Sequence, residues 1–260
     1  GQLQHRGNAA DANHSPALAI VPYGTTNMSA RTINRSRNRK DAVTTLRRTL
    51  QLDHAAKLTT HRHPLLKIVT ADTVQYGYAF GVGAIANFVQ DWRVRRGQTT
   101  AINQLRSLLS LLRGLRNADD HTSVTLNAQT MDVYALVLTT LRELIYGTRP
   151  FWGSARQGDA GVRATWIQSG TPGLFSHAPD LLRGDPRMAD IEGFDSRGYQ
   201  QHELSCAGPL ILDGEVYDYR NTPMTISSVD YVPWIALYRN APRHQTCQHC
   251  FWALTYSPAS

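Results

Sequence analysis

Lysine is nearly missing from this chain. Only Lys40, Lys57 and Lys67 occur, so 24 of the 27 basic residues are arginine, and the formal charge is +7. Arginine's planar fork suits phosphate and other anions. An anionic partner is therefore one reading of the excess, and a compositional bias of the coding sequence is the other, since charge addresses partners and not fold. Glutamate is as scarce, with Glu143, Glu192, Glu203 and Glu215 making up the whole set. Cys206, Cys247 and Cys250 are an odd number that builds no disulfide framework, which points to a reducing compartment. No apolar run reaches the roughly 18 residues of a membrane span, and the first residues lack the charged, apolar and small-residue succession of a signal peptide. These absences predict a cytoplasmic protein that touches a membrane at most at its surface. Hydrophobic residues make up 42% of 260, enough for a buried core in one large or two modest domains.

Along the chain, residues 1–16 are polar and without period, which reads as loop or the remnant of a helix. Leu18-Ala19-Ile20-Val21, ended by Pro22, suits a short buried strand, and Gly24-Thr25-Thr26-Asn27 leads into a helix start. Asp41 is placed to cap a second helix whose Val43, Leu46 and Leu50 share a face. From about residue 56 the pattern changes. Residues 65–69 and 74–82 read as two antiparallel strands joined around Ala71-Asp72, with Val74, Tyr76, Tyr78 and Phe80 alternating on one apolar face. The stretches 101–117 and 130–146 read as amphipathic helices, the second opening at Thr130 and Asp132. Residues 153–200, rich in Gly, Pro, Asp and Arg, hold a strand at 163–168 and long loops around Ser169-Gly170-Thr171-Pro172-Gly173, and 203–206, 210–212, 216–219 and 224–227 read as strands. The expected class is α+β: residues 1–55 the remnant of an α/β nucleotide-binding domain, 56–230 a larger antiparallel, β-sandwich-like domain with helices, and 231–260 a return segment and tail.

Two segments offer chemistry. At Ile20-Val21-Pro22-Tyr23-Gly24-Thr25-Thr26-Asn27 a strand gives way to a glycine-containing turn at a helix start, where free N–H groups, a positive dipole end and threonine hydroxyls suit a phosphate. A Gly-Thr turn with an Asn cap is equally an ordinary structural device. At Leu210-Ile211-Leu212-Asp213-Gly214-Glu215-Val216-Tyr217, Asp-Gly between apolar segments signals a tight hairpin. It also sets one of only four glutamates at a turn, the placement a general base requires.

Together, and in this order, these segments resemble the diacylglycerol kinase family. Its Pro-x-Gly-Thr-x-Asn segment is matched by Pro22-Tyr23-Gly24-Thr25-Thr26-Asn27. The resemblance continues through the glycine-rich strand Tyr76-Gly77-Tyr78-Ala79-Phe80-Gly81-Val82-Gly83-Ala84 and through Arg149-Pro150-Phe151-Trp152-Gly153, and ends at Leu212-Asp213-Gly214-Glu215. It implies a two-domain enzyme that moves the γ-phosphoryl group of ATP, with Mg2+, onto the hydroxyl of a diacylglycerol-like lipid at a membrane surface. Gly24, Thr25 and Asn27 would contact the nucleotide phosphates, Glu215 would accept the hydroxyl proton and Asp213 would support that site. Nucleic acid is not among the expected partners. The chain departs from the family in having no Gly-Gly pair, and so no Gly-Gly-Asp-Gly-Thr phosphate loop. That reads as an N-terminally truncated form. The alternative is a non-catalytic lipid-binding module derived from such a kinase.

Other features have plainer readings beside functional ones. Cys247-Gln248-His249-Cys250 lacks the second ligand pair of a zinc site. Arg35-Ser36-Arg37-Asn38-Arg39-Lys40 and Arg93-Val94-Arg95-Arg96 suit solvated loops or anionic headgroups. The 101–117 stretch suits a core-covering helix or a membrane-lying one. Asp180 and Asp185 are the candidates for magnesium ligands.

Overall fold

The structure, a computed structural model, describes residues 19–21, 39–51, 60–94, 121–144, 147–152 and 161–235. Packing divides the chain into two units, Gly1–His63 with Tyr231–Ser260 and Pro64–Asp230. In the first, Ala19-Ile20-Val21 has no regular secondary structure where a strand was expected. Four apolar residues are too few to fix a period, and pairing decides their state. Helix α1 (Arg39–Gln51) forms as expected, but Asp41 lies inside its first turn instead of capping it, where a negative charge suits the helix's positive end. Its inward residue is Ala42, while Val43 is exposed.

The second unit is mostly antiparallel sheet with few helices, an α+β architecture as expected. Its strands are β1 (Thr60–Val69, entering from the first unit), β2 (Val74–Gly77), β3 (Ala79–Gly83), β4 (Thr122–Leu126), β5 (Gln129–Thr139), β6 (Val162–Gln168), β7 (Phe194–Tyr199), β8 (Gln201–Cys206), β9 (Leu210–Leu212), β10 (Glu215–Tyr217) and β11 (Met224–Ile235). Helix α2 (Ala84–Val94) follows β3, and α3 (Leu174–Arg183) with a 3-10 turn (Pro186–Asp190) follows β6. The strand order is β10-β9-β3-β5-β4-β8-β11-β1-β2, with β6 on β5 and β7 on β6. β2, last in that order, is separated from β3 by Tyr78 alone. The sheet therefore curls back on itself, and Gly77-Tyr78-Ala79 is its seam.

The expected helix at 130–146 is instead β5, the longest strand of the sheet's middle. Its sequence Val133-Tyr134-Ala135-Leu136-Val137-Leu138-Thr139 is buried throughout, and a run buried on both faces shows no alternation to tell it from a helix. A register shift between Val133 and Ala135 lets Val133, Leu136 and Leu138 all face one core although their parity differs. That core gathers Leu66, Ile68, Phe80, Val82, Val124, Trp166, Leu204, Met224 and Ile226 inside the curl. Tyr134 and Ala135 face a second core with Trp152, Ile167, Leu174, Leu181, Met188 and Phe194, which α3 and the 3-10 turn cover. Neither element is predicted by the sequence. The 101–117 helix lies outside the described residues.

The β1–β2 hairpin joins around Ala71-Asp72 as expected, but its faces do not. Phe80 and Val82 enter the first core, as do Leu66 and Ile68 opposite Gly77 and Gln75. The inward phase thus shifts by one residue at Tyr78, and Val74 and Tyr76, expected in the core, are exposed.

Candidate functional site

The acidic hairpin sits on the seam. β9 pairs with β3 through Phe80↔Leu212, Gly81↔Ile211 and Val82↔Leu210, and β10 folds back on β9 with Glu215↔Leu212. Between them Asp213 and Gly214 adopt φ of 50° and 85°, the left-handed pair that a two-residue hairpin of this kind demands. Glu215, the first residue of β10, is exposed.

Asp213 does more than turn the chain. Its Oδ1 accepts from Tyr78 N at 3.0 Å and Ala79 N at 2.9 Å, its Oδ2 accepts from Tyr78 N at 3.1 Å, and its own N donates to Ala79 O at 2.9 Å. Where β2 gives way to β3 the backbone leaves the ladder, and its polar groups need other partners. The carboxylate supplies them for the N–H groups. On the other side Tyr78 O accepts from Thr139 Oγ1 at 2.6 Å and Thr140 N at 3.2 Å, and Thr139 Oγ1 accepts from Leu141 N at 3.0 Å. Enclosure raises the pKa of the Asp213 carboxyl and the bonds from Tyr78 and Ala79 oppose the rise. The residue as a whole stays exposed at the turn, so the enclosure is partial.

The glycine-rich strand permits this closeness. A Cβ on Gly77 would lie 2.5 Å from Leu212 Cδ1 and 2.9 Å from Asp213 Oδ2. At Gly83, with φ 69°, a Cβ would lie 2.4 Å from Tyr134 O, so only glycine lets β3 turn into α2 there.

The remaining candidates separate into packing and silence. Arg149 pairs with Glu143, with Nε to Oε1 at 3.0 Å, and its N donates to Leu182 O at 2.8 Å. Pro150 O accepts from Thr165 Oγ1 and Trp152 fills the second core, so the Arg149-Pro150-Phe151-Trp152 segment holds α3 in place. Asp185 caps the 3-10 turn and grips Arg187, with Oδ1 to Nε at 3.0 Å and Oδ2 to Nη2 at 2.7 Å, which holds its pKa at about 2. Asp180 gives its backbone oxygen to Asp185 N at 3.0 Å. Among the described residues no three His, Cys, Asp or Glu side chains gather as a metal site, and no helix is long and apolar enough to cross a membrane. Gly24, Thr25 and Asn27, like Cys247-Gln248-His249-Cys250, lie outside the described residues. Thr139, whose hydroxyl closes the seam from the far side, was not singled out in the sequence; a threonine at the end of an apolar run carries no signal of a partner 61 positions away.

No protein-family model matches the chain, and no curated protein matches it by sequence. Solved structures do. A crystal structure described as a diacylglycerol kinase from Bacillus anthracis str. Sterne superposes with a TM-score of 0.53 at 15% identity, covering 85% of this chain and 69% of that one. A second from the same source gives 0.51 at 15%, covering 85% and 68%. At such identity the likeness is one of fold, and the chain has the curled-sheet α+β fold of these diacylglycerol kinase structures.

Proposed function

We propose that this chain is a lipid kinase, or the larger part of one, which transfers the γ-phosphoryl group of ATP to the hydroxyl of diacylglycerol or a related lipid at the cytoplasmic membrane surface. The observation that supports it most is the Leu212-Asp213-Gly214-Glu215 hairpin. An exposed carboxylate is presented at a turn that is locked to the sheet's seam, on a fold shared with diacylglycerol kinase structures. Glu215 takes the proton of the lipid hydroxyl as that oxygen attacks the terminal phosphorus and the bond to ADP breaks. Asp213 is the positioning residue, because its carboxylate is spent on Tyr78 N and Ala79 N and reaches no reactant. Phosphoryl transfer depends on alignment more than on covalent chemistry, so the rigidity of the seam is what this role asks of it.

Gly24, Thr25 and Asn27 would hold the nucleotide phosphates, an assignment that rests on the family resemblance. A magnesium cage does not fit the described acids: both oxygens of Asp185 are engaged by Arg187, and no cluster of three ligands stands elsewhere among the described residues. The chain's lack of any Gly-Gly pair favours the second reading, a lipid-binding module without phosphotransfer.

Labelled-phosphate transfer from ATP to diacylglycerol in mixed micelles decides between the two, using this chain and a form extended upstream. The active form should lose at least about 100-fold in rate on Glu215→Gln, with unfolding unchanged. Equal activity of wild type and variant would remove Glu215 from the reaction. Inactivity of both chains would leave the binding module.

A further inference from the structure

The β1–β2 hairpin has an outer face unlike that of a half-solvated sheet, which is normally polar. Leu66 and Ile68 point inward and are buried, opposite Gly77 and Gln75. Directly opposed residues of antiparallel strands share a face. Outward therefore point Leu65, Lys67 and Val69 from β1 with Val74 and Tyr76 from β2, Lys67 opposite Tyr76 and Val69 opposite Val74. Val74 is 50% exposed and Tyr76 41%. Natural sheets blunt such terminal strands with charge, whereas this one surrounds a single lysine with four apolar side chains. Asp72, the hairpin's one acid, is at the tip of the turn.

The hairpin's opposite, inward face is the one that meets the acidic hairpin: Gly77 lies against Leu212 and Asp213, and Gln75 Nε2 donates to Tyr219 Oη at 2.9 Å just beyond β10. Aliphatic side chains, a tyrosine with its polar tip and a lysine on a flexible stem are the chemistry of a membrane–water boundary. The +7 charge of the chain suits an anionic one. A symmetric pair of copies would instead bring two Lys67 ammonium groups together in an apolar contact, at a cost.

We infer that the outer face of the β1–β2 hairpin seats the protein on an anionic lipid surface, with Val74 and Tyr76 in the headgroup region and Lys67 at the lipid phosphates. The choice of a lipid occupant rests on the kinase reading above, but the test does not need ATP. The full chain is sedimented with vesicles of phosphatidylcholine alone and with phosphatidylglycerol added. Wild type should bind the anionic vesicles. V74D/Y76D should bind them at least about tenfold more weakly, and K67E about tenfold more weakly on anionic vesicles while unchanged on neutral ones. Because Val74 and Tyr76 are exposed, thermal unfolding of V74D/Y76D should match wild type; Tyr76→Ser is the milder variant should the double aspartate unfold. Wild type that fails to bind, or folded variants that bind as wild type does, would overturn the inference. So would a variant that only breaks a dimer seen by equilibrium sedimentation. Vesicle binding through this face with no phosphotransfer by either this chain or the form extended upstream would sink the kinase reading alone, and phosphotransfer with vesicle binding indifferent to the face would sink only the docking.

Discussion

Two tight turns of the sheet share a geometry and differ in use. Asn127 and Ala128, between β4 and β5, have φ of 49° and 66°, and Asp213 and Gly214 have 50° and 85°. In each the first residue reaches across to a neighbouring strand. Asn127 Oδ1 accepts from Glu203 N at 2.9 Å, and Asn127 N donates to Glu203 O at 2.8 Å. With Oδ1 so engaged, Nδ2 faces His202 Nδ1 at 3.3 Å, which assigns the imidazole's proton to Nε2. His202 is fully buried, its ring meets Tyr199 edge-on at 4.7 Å, and its Nε2 has no partner among the described residues. The amide turn thus braces a neutral core histidine. The carboxylate turn braces a seam and holds an acid in solvent. The same backbone trick serves packing at one end and the proposed chemistry at the other, and what separates them is the residue after the turn and the charge of the residue within it.

Cutting each brace should separate the two most sharply. Asp213→Ala leaves Tyr78 N and Ala79 N without their acceptor and should cost about 3 kcal/mol, together with most phosphotransfer. Asn127→Ala should cost about 1 kcal/mol and leave phosphotransfer intact. Urea unfolding and the micelle assay, run on both variants, read this out. Equal losses of activity would mean that the Asp213 turn has no special tie to the reaction.

Next in size is a pH effect belonging to the Asn127 side alone. Burial pushes the His202 pKa down to about 4 from its ordinary 6.5. Between these values the unfolded chain binds the proton and the folded chain does not, so stability falls as pH drops from 6.5 toward 4 and is full above 6.5. The loss should be about 2 kcal/mol after allowing for partial hydration. Urea midpoints measured across that window should flatten in His202→Leu; an unchanged slope would assign the effect to other groups.

Smallest are the turn residues themselves. Ala128 holds a positive φ that glycine adopts without strain, so Ala128→Gly should stabilise by about 0.5–1 kcal/mol. Gly214→Ala should destabilise by about 1 kcal/mol, through backbone strain alone, because a Cβ there would meet nothing within 4 Å. Thermal unfolding compares the pair.

What was legible in the residues was what is local. Asp213-Gly214 announced its turn, and the strands at 163–168, 203–206 and 210–212 could be read from short apolar runs and their punctuation. Asn127-Ala128 was not legible, since alanine is an unlikely occupant of a left-handed position. β5 reads as a helix because its inner half is buried on both sides, and the outward turn of Val74 and Tyr76 is hidden because the phase change at Tyr78 depends on partners far along the chain. The bonds that hold Asp213 span 134 and 135 positions, beyond the reach of any sequence pattern. Of the proposed site, the Asp213-Gly214 turn could be read in advance; the clamp that fixes it could not.

The curl of the sheet has one last corollary. Because the peptide from Gly77 to Ala79 joins β2, the last strand of the succession, directly to β3 near the other end, it behaves like the clasp of a bracelet, with β9 and β10 hung beyond it. Amide protons of Tyr78 and Ala79 should consequently be among the slowest to exchange with deuterated solvent.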